Sequence, residues 1–237
     1  MWRKELGASL NLNVDILPMD APNRPQPRNG RDRTYLDALN YITVHETDNT
    51  RRGADADAHR RFLNNGGGTR RVSWHYTVDE NKIWKHLRLN ERGIHANAGN
   101  RQSVGIETCV DAGSDLNATR DRAARLVAVL LYDTGLPIDR VVQHNFWSGK
   151  NCPRRLRAGV LGVNWMDFIN LVAGYLDLAR KSVPKYLSEE VKEAEPDQVI
   201  NDLQLDSIVR EEGFEDDPHI GIPEELLSVD PEADLRV

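Results

Sequence analysis

Three side chains that could bind a metal ion or stabilise negative charge lie between Val141 and Pro153: His144, Lys150 and Cys152. An imidazole and a thiolate with seven residues between them can fold onto one ion, since a loop can bring both ligand atoms to about 2.0–2.3 Å from it. Thiolate and imidazole ligands together favour zinc over magnesium or calcium. The stretch therefore predicts part of a zinc site, with a cation beside it.

A third ligand is needed, because a catalytic zinc site usually has three protein ligands and an open position for water. The best candidate is His45, which ends the apolar run from Tyr41 to Val44. This β-branched run predicts a buried strand over residues 40–47, and a second short strand over residues 141–144 ends at His144. Ligands gather at such strand ends in open α/β sheets, although a hydrogen-bonded structural histidine is the alternative in each case.

Glu107 lies in a third predicted strand, residues 103–110. Val104 and Ile106 share one face of this strand, so Glu107 points to the other. Its carboxylate could pair with an arginine, or it could be the general base that takes a proton from the attacking water. Lys150 is likewise either a solvated loop charge or the group that stabilises an oxyanion. His75 and His95 could be substrate contacts or structural residues.

The remaining elements alternate between strand and helix. Residues 72–78 and 82–87 predict a hairpin, and residues 55–64 predict a helix that ends at Gly66–Gly68. A longer helix over residues 117–135 could be capped by Asn117 or Thr119. A final helix over residues 164–180 should bury one face, formed by Trp165, Phe168, Leu171, Val172 and Tyr175. This alternation predicts an α/β fold with a mixed sheet covered by helices.

Composition indicates one domain and a tail. The chain has 237 residues, 39% hydrophobic and only 6% aromatic, which is enough for one good core. We predict an N-terminal extension and loop packed on the catalytic domain (residues 1–38), the catalytic domain itself (residues 39–182) and an acidic, flexible tail (residues 183–237).

No apolar run is long enough to span a bilayer, and residues 1–6 lack the apolar part of a signal peptide. We therefore expect a soluble cytosolic chain. Its two cysteines are too few for a disulfide framework, so we expect reduced thiols.

The net charge of −6 is divided unevenly along the chain. Residues 186–237 contain 17 acidic and 3 basic residues, a net charge of −14, whereas the preceding residues carry +8. A basic body suggests a polyanionic partner such as nucleic acid or an anionic cell wall. The chain has no basic cluster interleaved with aromatic residues, which argues against nucleic acid.

Five motifs, in this order, resemble those of the type 2 N-acetylmuramoyl-L-alanine amidases. This family includes phage endolysins, bacterial autolysins and peptidoglycan recognition proteins. The resemblance extends from about Asn23 to about Tyr175. The motifs are Tyr41–Thr47, Ser73–Asp79, Gly93–Asn97, Ser103–Glu107 and Gln143–Pro153.

The resemblance implies a central mixed, mostly parallel sheet flanked by helices, with one zinc ion at its carboxyl-terminal edge. By position, His45, His144 and Cys152 match the three zinc ligands of the family. Glu107 matches the catalytic glutamate of the phage and bacterial amidases, and Lys150 matches the oxyanion-stabilising lysine.

Two details of the resemblance bear on function. Some relatives have a functional tyrosine where this chain has Trp74, so the tyrosine's role does not carry over; we group Trp74 with His75 and His95 as candidate substrate contacts. Recognition proteins that only bind the wall lack the ligand equivalent to Cys152, whose presence here favours a hydrolase.

The acidic C-terminus does not resemble the repeat modules with which many endolysins hold the wall.

The sequence thus predicts a zinc-dependent amidase that cuts between N-acetylmuramic acid and L-alanine in peptidoglycan. We expect a monomeric phage or prophage endolysin that lyses its host and stays in the host bacterial cytoplasm until its release to the cell wall. A bacterial autolysin with unusual export is the alternative origin. Its partners would be peptidoglycan and anionic wall polymers, with no nucleic acid and no membrane span. The alternative is a non-catalytic peptidoglycan-binding module, which would keep the cleft and need no metal.

Overall fold

The structure is a computed structural model that describes residues 10–26 and 34–182. Within these residues, six strands form one sheet: β1 (Leu12–Val14), β2 (Tyr41–Glu46), β3 (Tyr76–Val78), β4 (Ile83–Lys85), β5 (Ser103–Thr108) and β6 (Val141–Gln143). The α-helices of the same residues are α1 (Ala56–Asn64), α2 (Leu116–Thr134), α3 (His144–Ser148), α4 (Arg154–Arg157) and α5 (Trp165–Ser182). Short 3₁₀ helices span Asn97–Arg101, Ile138–Arg140 and Val160–Gly162.

The order of the strands in the sheet is β1-β4-β3-β5-β2-β6. Every neighbouring pair is parallel except β3 and β4, which form the predicted hairpin. The predicted mixed, mostly parallel sheet is therefore confirmed. Parallel neighbours end on the same side, so the carboxyl ends of β5, β2 and β6 meet at one edge.

The two faces of the sheet are covered by different helices. Alternate residues of β2 and β5, such as Val44 and Ile106, join α2 and α5 in the main hydrophobic core. Burying each such aliphatic side chain contributes about 1.5–3 kcal/mol, so this face makes a large contribution to stability. A smaller cluster on the other face includes Leu63 of α1 together with Trp74 and Leu87. The helix-covered α/β fold agrees with the sequence prediction.

Several local predictions are corrected by the structure. Helix α2 is capped by the carboxylate of Asp115, which accepts hydrogen bonds from two backbone N–H groups at 3.0 Å, so neither Asn117 nor Thr119 is the cap. Leu171 is 37% exposed rather than buried, because α2 meets the neighbouring face of α5. The strand predicted over residues 72–78 begins only at Tyr76, since Ser73 makes an isolated bridge outside the ladder.

Within the predicted N-terminal extension, the structure adds a strand that the sequence analysis did not identify. Strand β1 pairs in parallel with β4 at the edge of the sheet, and Leu10 and Leu17 are buried. The predicted domain boundaries remain predictions, and the acidic tail, residues 183–237, lies outside the described residues. Among the residues that are described, no helix has the length and apolarity needed to cross a membrane.

Candidate metal centre at the carboxyl edge of the sheet

The parallel register of three strands brings the predicted site residues together. His45 lies near the end of β2, and the register pairs it with Glu107 of β5. On the other side of β2, Val44 pairs with Gln143 of β6. The next residue, His144, begins α3 and so lies beside His45. The parallel pairing of β5, β2 and β6 therefore brings His45, Glu107 and His144 together at one edge of the sheet.

The three predicted ligands converge on one point. His45 Nδ1 lies 3.0 Å from His144 Nδ1, and Cys152 Sγ lies 3.9 Å from His45 Nδ1. All three residues are buried, and their ligand atoms lie within 4.8 Å of one another. Metal–ligand bonds of about 2.0–2.3 Å place the ligand atoms of one ion roughly 3–4 Å apart, so a single ion could contact all three.

A tight loop after α3 carries Lys150 and Cys152. The Asn145 side chain donates hydrogen bonds to the carbonyls of Gly149 at 2.8 Å and Lys150 at 2.9 Å. The Asn145 backbone N–H donates to the Cys152 carbonyl at 3.1 Å. Gly149 ends the helix with a φ of +74°, a conformation that favours glycine. The Cys152–Pro153 peptide bond is cis. These bonds hold the thiol and the lysine at fixed places beside the histidines.

A buried carboxylate fastens the chain that follows Cys152. Glu46 accepts hydrogen bonds from the backbone N–H groups of Arg155 at 2.6 Å and Leu156 at 3.0 Å, in the first turn of α4. Burial raises the pKa of Glu46, and these two bonds oppose the shift. Cys152 Sγ lies 3.8 Å from the Glu46 carbonyl oxygen. Glu46 therefore links the end of β2 to the segment that carries the thiol.

Glu107 is half-buried, with a side chain that is 13% exposed, and its carboxylate has spare hydrogen-bonding capacity. Its Oε1 lies 3.8 Å from His45 Nδ1, while its Oε2 is buried and has no hydrogen-bond partner among the described residues. Desolvation raises the pKa of Glu107 to about 8, and the nearby positive charge of Lys150 opposes that shift. A buried polar atom without a partner costs free energy, so its retention points to a functional use.

The donor set fits a divalent metal ion. Burial lowers the pKa of His45 and lowers that of His144 to about 4, so both imidazoles are neutral and can offer a lone pair. Burial raises the pKa of the Cys152 thiol to about 12, so a thiolate there requires a cation beside it. Such a cation would also stabilise the charged form of the nearby Glu107 carboxylate.

A cavity of about 200 Å³ opens next to this cluster. Glu107 and Lys150 line one side of it, and Phe62 and Trp74 form an apolar wall with ring centroids 6.3 Å apart and planes at 23°. Exposed Arg70 also lines the cavity. The cavity thus combines an apolar surface, two cations and a carboxylate next to the three candidate ligands, as small-molecule sites commonly do.

The three predicted substrate contacts occupy different environments. Trp74 lines the cavity, although its Nε1–H donates to Thr77 Oγ1 at 2.7 Å. His75 is fully buried, and its ring nitrogens bond the Gly105 N–H at 3.0 Å and the Glu91 carbonyl at 2.8 Å, which favours a structural role. His95 contacts His45. A direct substrate contact for any of the three stays a prediction.

Sequence reasoning missed several residues that shape the site. It did not identify Asn145, which clamps the loop, or Phe62 and Arg70, which line the cavity. The available signal for Asn145 was its position directly after a predicted ligand. The signal for the cavity residues was the Gly66–Gly68 run after α1, which indicates a loop. Neither signal specifies a contact, because the partners are distant in sequence.

A mostly parallel sheet with a His-His-Cys cluster and a spare carboxylate at its carboxyl edge is typical of metal-assisted hydrolases. Comparison with known sequences makes this specific. The N-acetylmuramoyl-L-alanine amidase family matches residues 35–155, and the chain belongs to this family. All the ligand candidates and Glu107 and Lys150 lie within the matched region.

Individual relatives agree with the family assignment. The N-acetylmuramoyl-L-alanine amidase CwlH of Bacillus subtilis is 36% identical over 182 residues, which cover 75% of this chain and 67% of CwlH. The amidase XlyA of the same organism is 44% identical over 151 residues, which cover 62% of this chain and 48% of XlyA. The chain thus spans two thirds of one relative and about half of the other.

A solved structure shows the same fold. The catalytic domain of XlyA superimposes with a TM-score of 0.60 and 40% sequence identity, covering 69% of this chain and 99% of that domain. A mutant endolysin from Bacillus subtilis gives a TM-score of 0.60 with 39% identity, over 69% of this chain and 99% of that protein.

Proposed function

We propose that this protein is a zinc-dependent N-acetylmuramoyl-L-alanine amidase that hydrolyses the amide between the lactyl group of N-acetylmuramic acid and L-alanine in peptidoglycan. The observation that carries the proposal is the half-buried Glu107 carboxylate, which lines the cavity beside the His-His-Cys cluster and whose Oε2 has no hydrogen-bond partner among the described residues. The names of CwlH and XlyA support the choice of substrate, since both are N-acetylmuramoyl-L-alanine amidases.

The chain offers a group for each part of the reaction. His45, His144 and Cys152 would hold the zinc ion. A bound zinc ion supplies Lewis acidity, which polarises a carbonyl and lowers the pKa of water towards about 7. Glu107 takes the proton from the attacking water and returns it to the alanine nitrogen as the C–N bond breaks. Lys150 faces the same cavity and stabilises the negative charge that develops on the carbonyl oxygen.

The experiment that tests this proposal measures new alanine N-termini released from purified cell walls. Three samples are compared: zinc-loaded protein, chelator-treated protein and zinc-loaded Glu107→Ala. We expect alanine release from the first sample only. Retained zinc with no release from any sample would contradict the amidase and favour a non-catalytic wall-binding module. Release that survives the chelator would contradict the role of the metal.

We further propose that the protein is a phage or prophage endolysin, which waits in the host bacterial cytoplasm and is then released to the wall. The likeness to an endolysin from Bacillus subtilis supports this proposal. Expression in a bacterial host should leave turbidity unchanged until the inner membrane is permeabilised with chloroform, after which the culture should clear. A host that expresses Glu107→Ala is the control and should not clear. Lysis on expression alone would contradict the cytoplasmic stage.

A further inference from the structure

His45 makes contacts through both of its ring nitrogens. Nδ1 faces His144 and Cys152, as described above. Nε2 lies 3.0 Å from His95 Nδ1, with the two rings edge to face at a centroid distance of 5.1 Å. His95 Nε2 in turn lies 3.4 Å from the backbone carbonyl oxygen of Ser103 in β5. A chain of three groups therefore runs from the strand backbone to the ligand cluster.

The carbonyl at the end of this chain determines where the protons lie. A carbonyl oxygen only accepts hydrogen bonds, so His95 Nε2 must donate to Ser103. In a neutral imidazole the other nitrogen is then an acceptor, and His95 Nδ1 accepts from His45 Nε2–H. His45 Nδ1 is consequently left with a free lone pair, directed at the cluster. The opposite tautomers would place two lone pairs against each other at Ser103.

The His95 ring lies close to two glycines, Gly93 and Gly105. A Cβ atom at Gly105 would lie 2.8 Å from His95 Cγ and Nδ1, and one at Gly93 would lie 2.8 Å from His95 Cδ2. These distances are too short for any side chain at either position. The Asn100 side chain accepts hydrogen bonds from the backbone N–H groups of His95 at 2.8 Å and Ala96 at 2.6 Å. Both the ring and the backbone of His95 are therefore constrained.

We infer that His95 is a positioning residue that fixes the tautomer and ring orientation of His45 for metal binding. The usual partner for the distal nitrogen of a metal-bound histidine is a carboxylate, a carbonyl or water; here a second histidine lies between the ligand and the carbonyl. This inference rests on the zinc site proposed above. It concerns metal affinity, so it can be tested without peptidoglycan.

The test compares His95→Asn with His95→Leu, two side chains of similar size. The Asn Oδ1 can occupy the place of His95 Nδ1 and accept from His45, whereas Leu offers no acceptor. Zinc affinity is measured by competition with a chelator, and the visible spectrum of the cobalt-loaded protein reports the geometry around the metal. We expect His95→Leu to bind zinc about 10- to 100-fold more weakly and to alter the cobalt spectrum. His95→Asn should stay within about threefold of the parent in zinc affinity and keep the parent's spectrum.

A glycine pair provides a second test that leaves His95 intact. Gly105→Ala adds a methyl group against the His95 ring and should weaken zinc binding in the same way. Gly174→Ala in α5 is the matched control, because a Cβ there meets no atom within 4 Å. Thermal unfolding of the metal-free proteins shows whether a variant binds zinc more weakly because its fold is less stable or because the His95 ring is displaced. If His95→Leu does not fold, the comparison of Gly105→Ala with Gly174→Ala decides.

Three results would overturn the inference: unchanged zinc affinity in both His95→Leu and Gly105→Ala, an equal loss in His95→Asn and His95→Leu, or a parent protein that binds no zinc. A parent that binds zinc but releases no alanine would contradict the amidase proposal alone. In that case the graded zinc affinities of the two His95 variants would still support the inference.

Discussion

Two glutamates lie at the same edge of the sheet, Glu46 buried and Glu107 half-buried, and their surroundings differ. Glu46, at the end of β2, has two backbone N–H donors from α4. Glu107, one strand away on β5, has an oxygen with no partner among the described residues and faces the cavity. Burial raises the pKa of both carboxyl groups. A raised pKa alone therefore does not distinguish the catalytic candidate from the structural one.

What separates the two regions is the use of their lone pairs. The Glu46 carboxylate accepts hydrogen bonds from backbone N–H groups of α4, so it fixes the path of the chain that carries Cys152. The Glu107 region keeps an unpaired acceptor beside the three candidate ligands, where it can take a proton. Cys152 belongs to both regions, with its sulfur 3.8 Å from the Glu46 carbonyl oxygen and 3.9 Å from His45 Nδ1.

The largest effect is expected from the residue shared by both regions. Cys152→Ser should abolish zinc binding under chelator competition and lower amide hydrolysis by about 10³-fold or more, since the metal contributes several kcal/mol of transition-state stabilisation. Cys109→Ser is the matched control: Cys109 is also buried and free, but its sulfur is 3.8 Å from His59 rather than next to the cluster. Metal analysis and alanine release from both variants check this; equal zinc loss in the two would contradict it.

Glu107→Gln tests whether the Glu107 carboxylate is the base that takes a proton from the attacking water. The amide cannot act as a base, so alanine release should fall by about 10²- to 10⁴-fold. Zinc affinity should change little and the melting temperature should not fall, because the neutral amide avoids the desolvation cost of the charged carboxylate. Activity within threefold of the parent would remove Glu107 from the mechanism.

Lys150→Met tests the cation that lines the same cavity. Loss of the group that stabilises the oxyanion should lower kcat by about 10²- to 10³-fold while zinc affinity stays unchanged. Lys150→Arg keeps the charge, and its rate should lie between those of the parent and Lys150→Met. Steady-state kinetics on a soluble muropeptide measure this; equal rates for Met and Arg would show that the charge is unimportant.

Glu46→Gln tests the structural side and should have the smallest effect on the reaction. Its NH₂ group would face a backbone N–H, and leaving one such donor unpaired costs about 1–3 kcal/mol of folding free energy. Chemical denaturation measures that loss. Activity per folded molecule should stay within about threefold of the parent. A variant that keeps its stability and loses its activity would reverse the roles assigned to Glu46 and Glu107.

Local patterns in the sequence were sufficient for the elements that carry the ligands. The β-branched run ending at His45 and the alternation around Glu107 predict strands from neighbouring residues alone. Parallel pairing then brings the carboxyl ends of these two strands together. The resemblance to the amidase family identified Glu107 and Lys150 with specific roles. The predicted catalytic roles remain to be tested by the variants above.

Features that depend on distant partners could not be predicted. Strand β1 is short and lies at the edge of the sheet, and it is defined by pairing with β4, which lies about 70 residues further along the chain. The same holds for Glu46, whose role depends on α4, and for His95, whose ring fits because two neighbouring residues are glycines without a Cβ. In each case the partner is set by the tertiary fold rather than by neighbouring residues.

The central claim is that His45, His144 and Cys152 hold a metal while Glu107 remains free to act as a base. A crystal structure of the zinc-loaded protein with anomalous data collected at the zinc edge tests it directly. We predict one anomalous peak at about 2.0–2.3 Å from His45 Nδ1, His144 Nδ1 and Cys152 Sγ, with neither Glu107 oxygen bound to it. A peak elsewhere, or one coordinated by Glu107 in place of any of the three, would contradict the account.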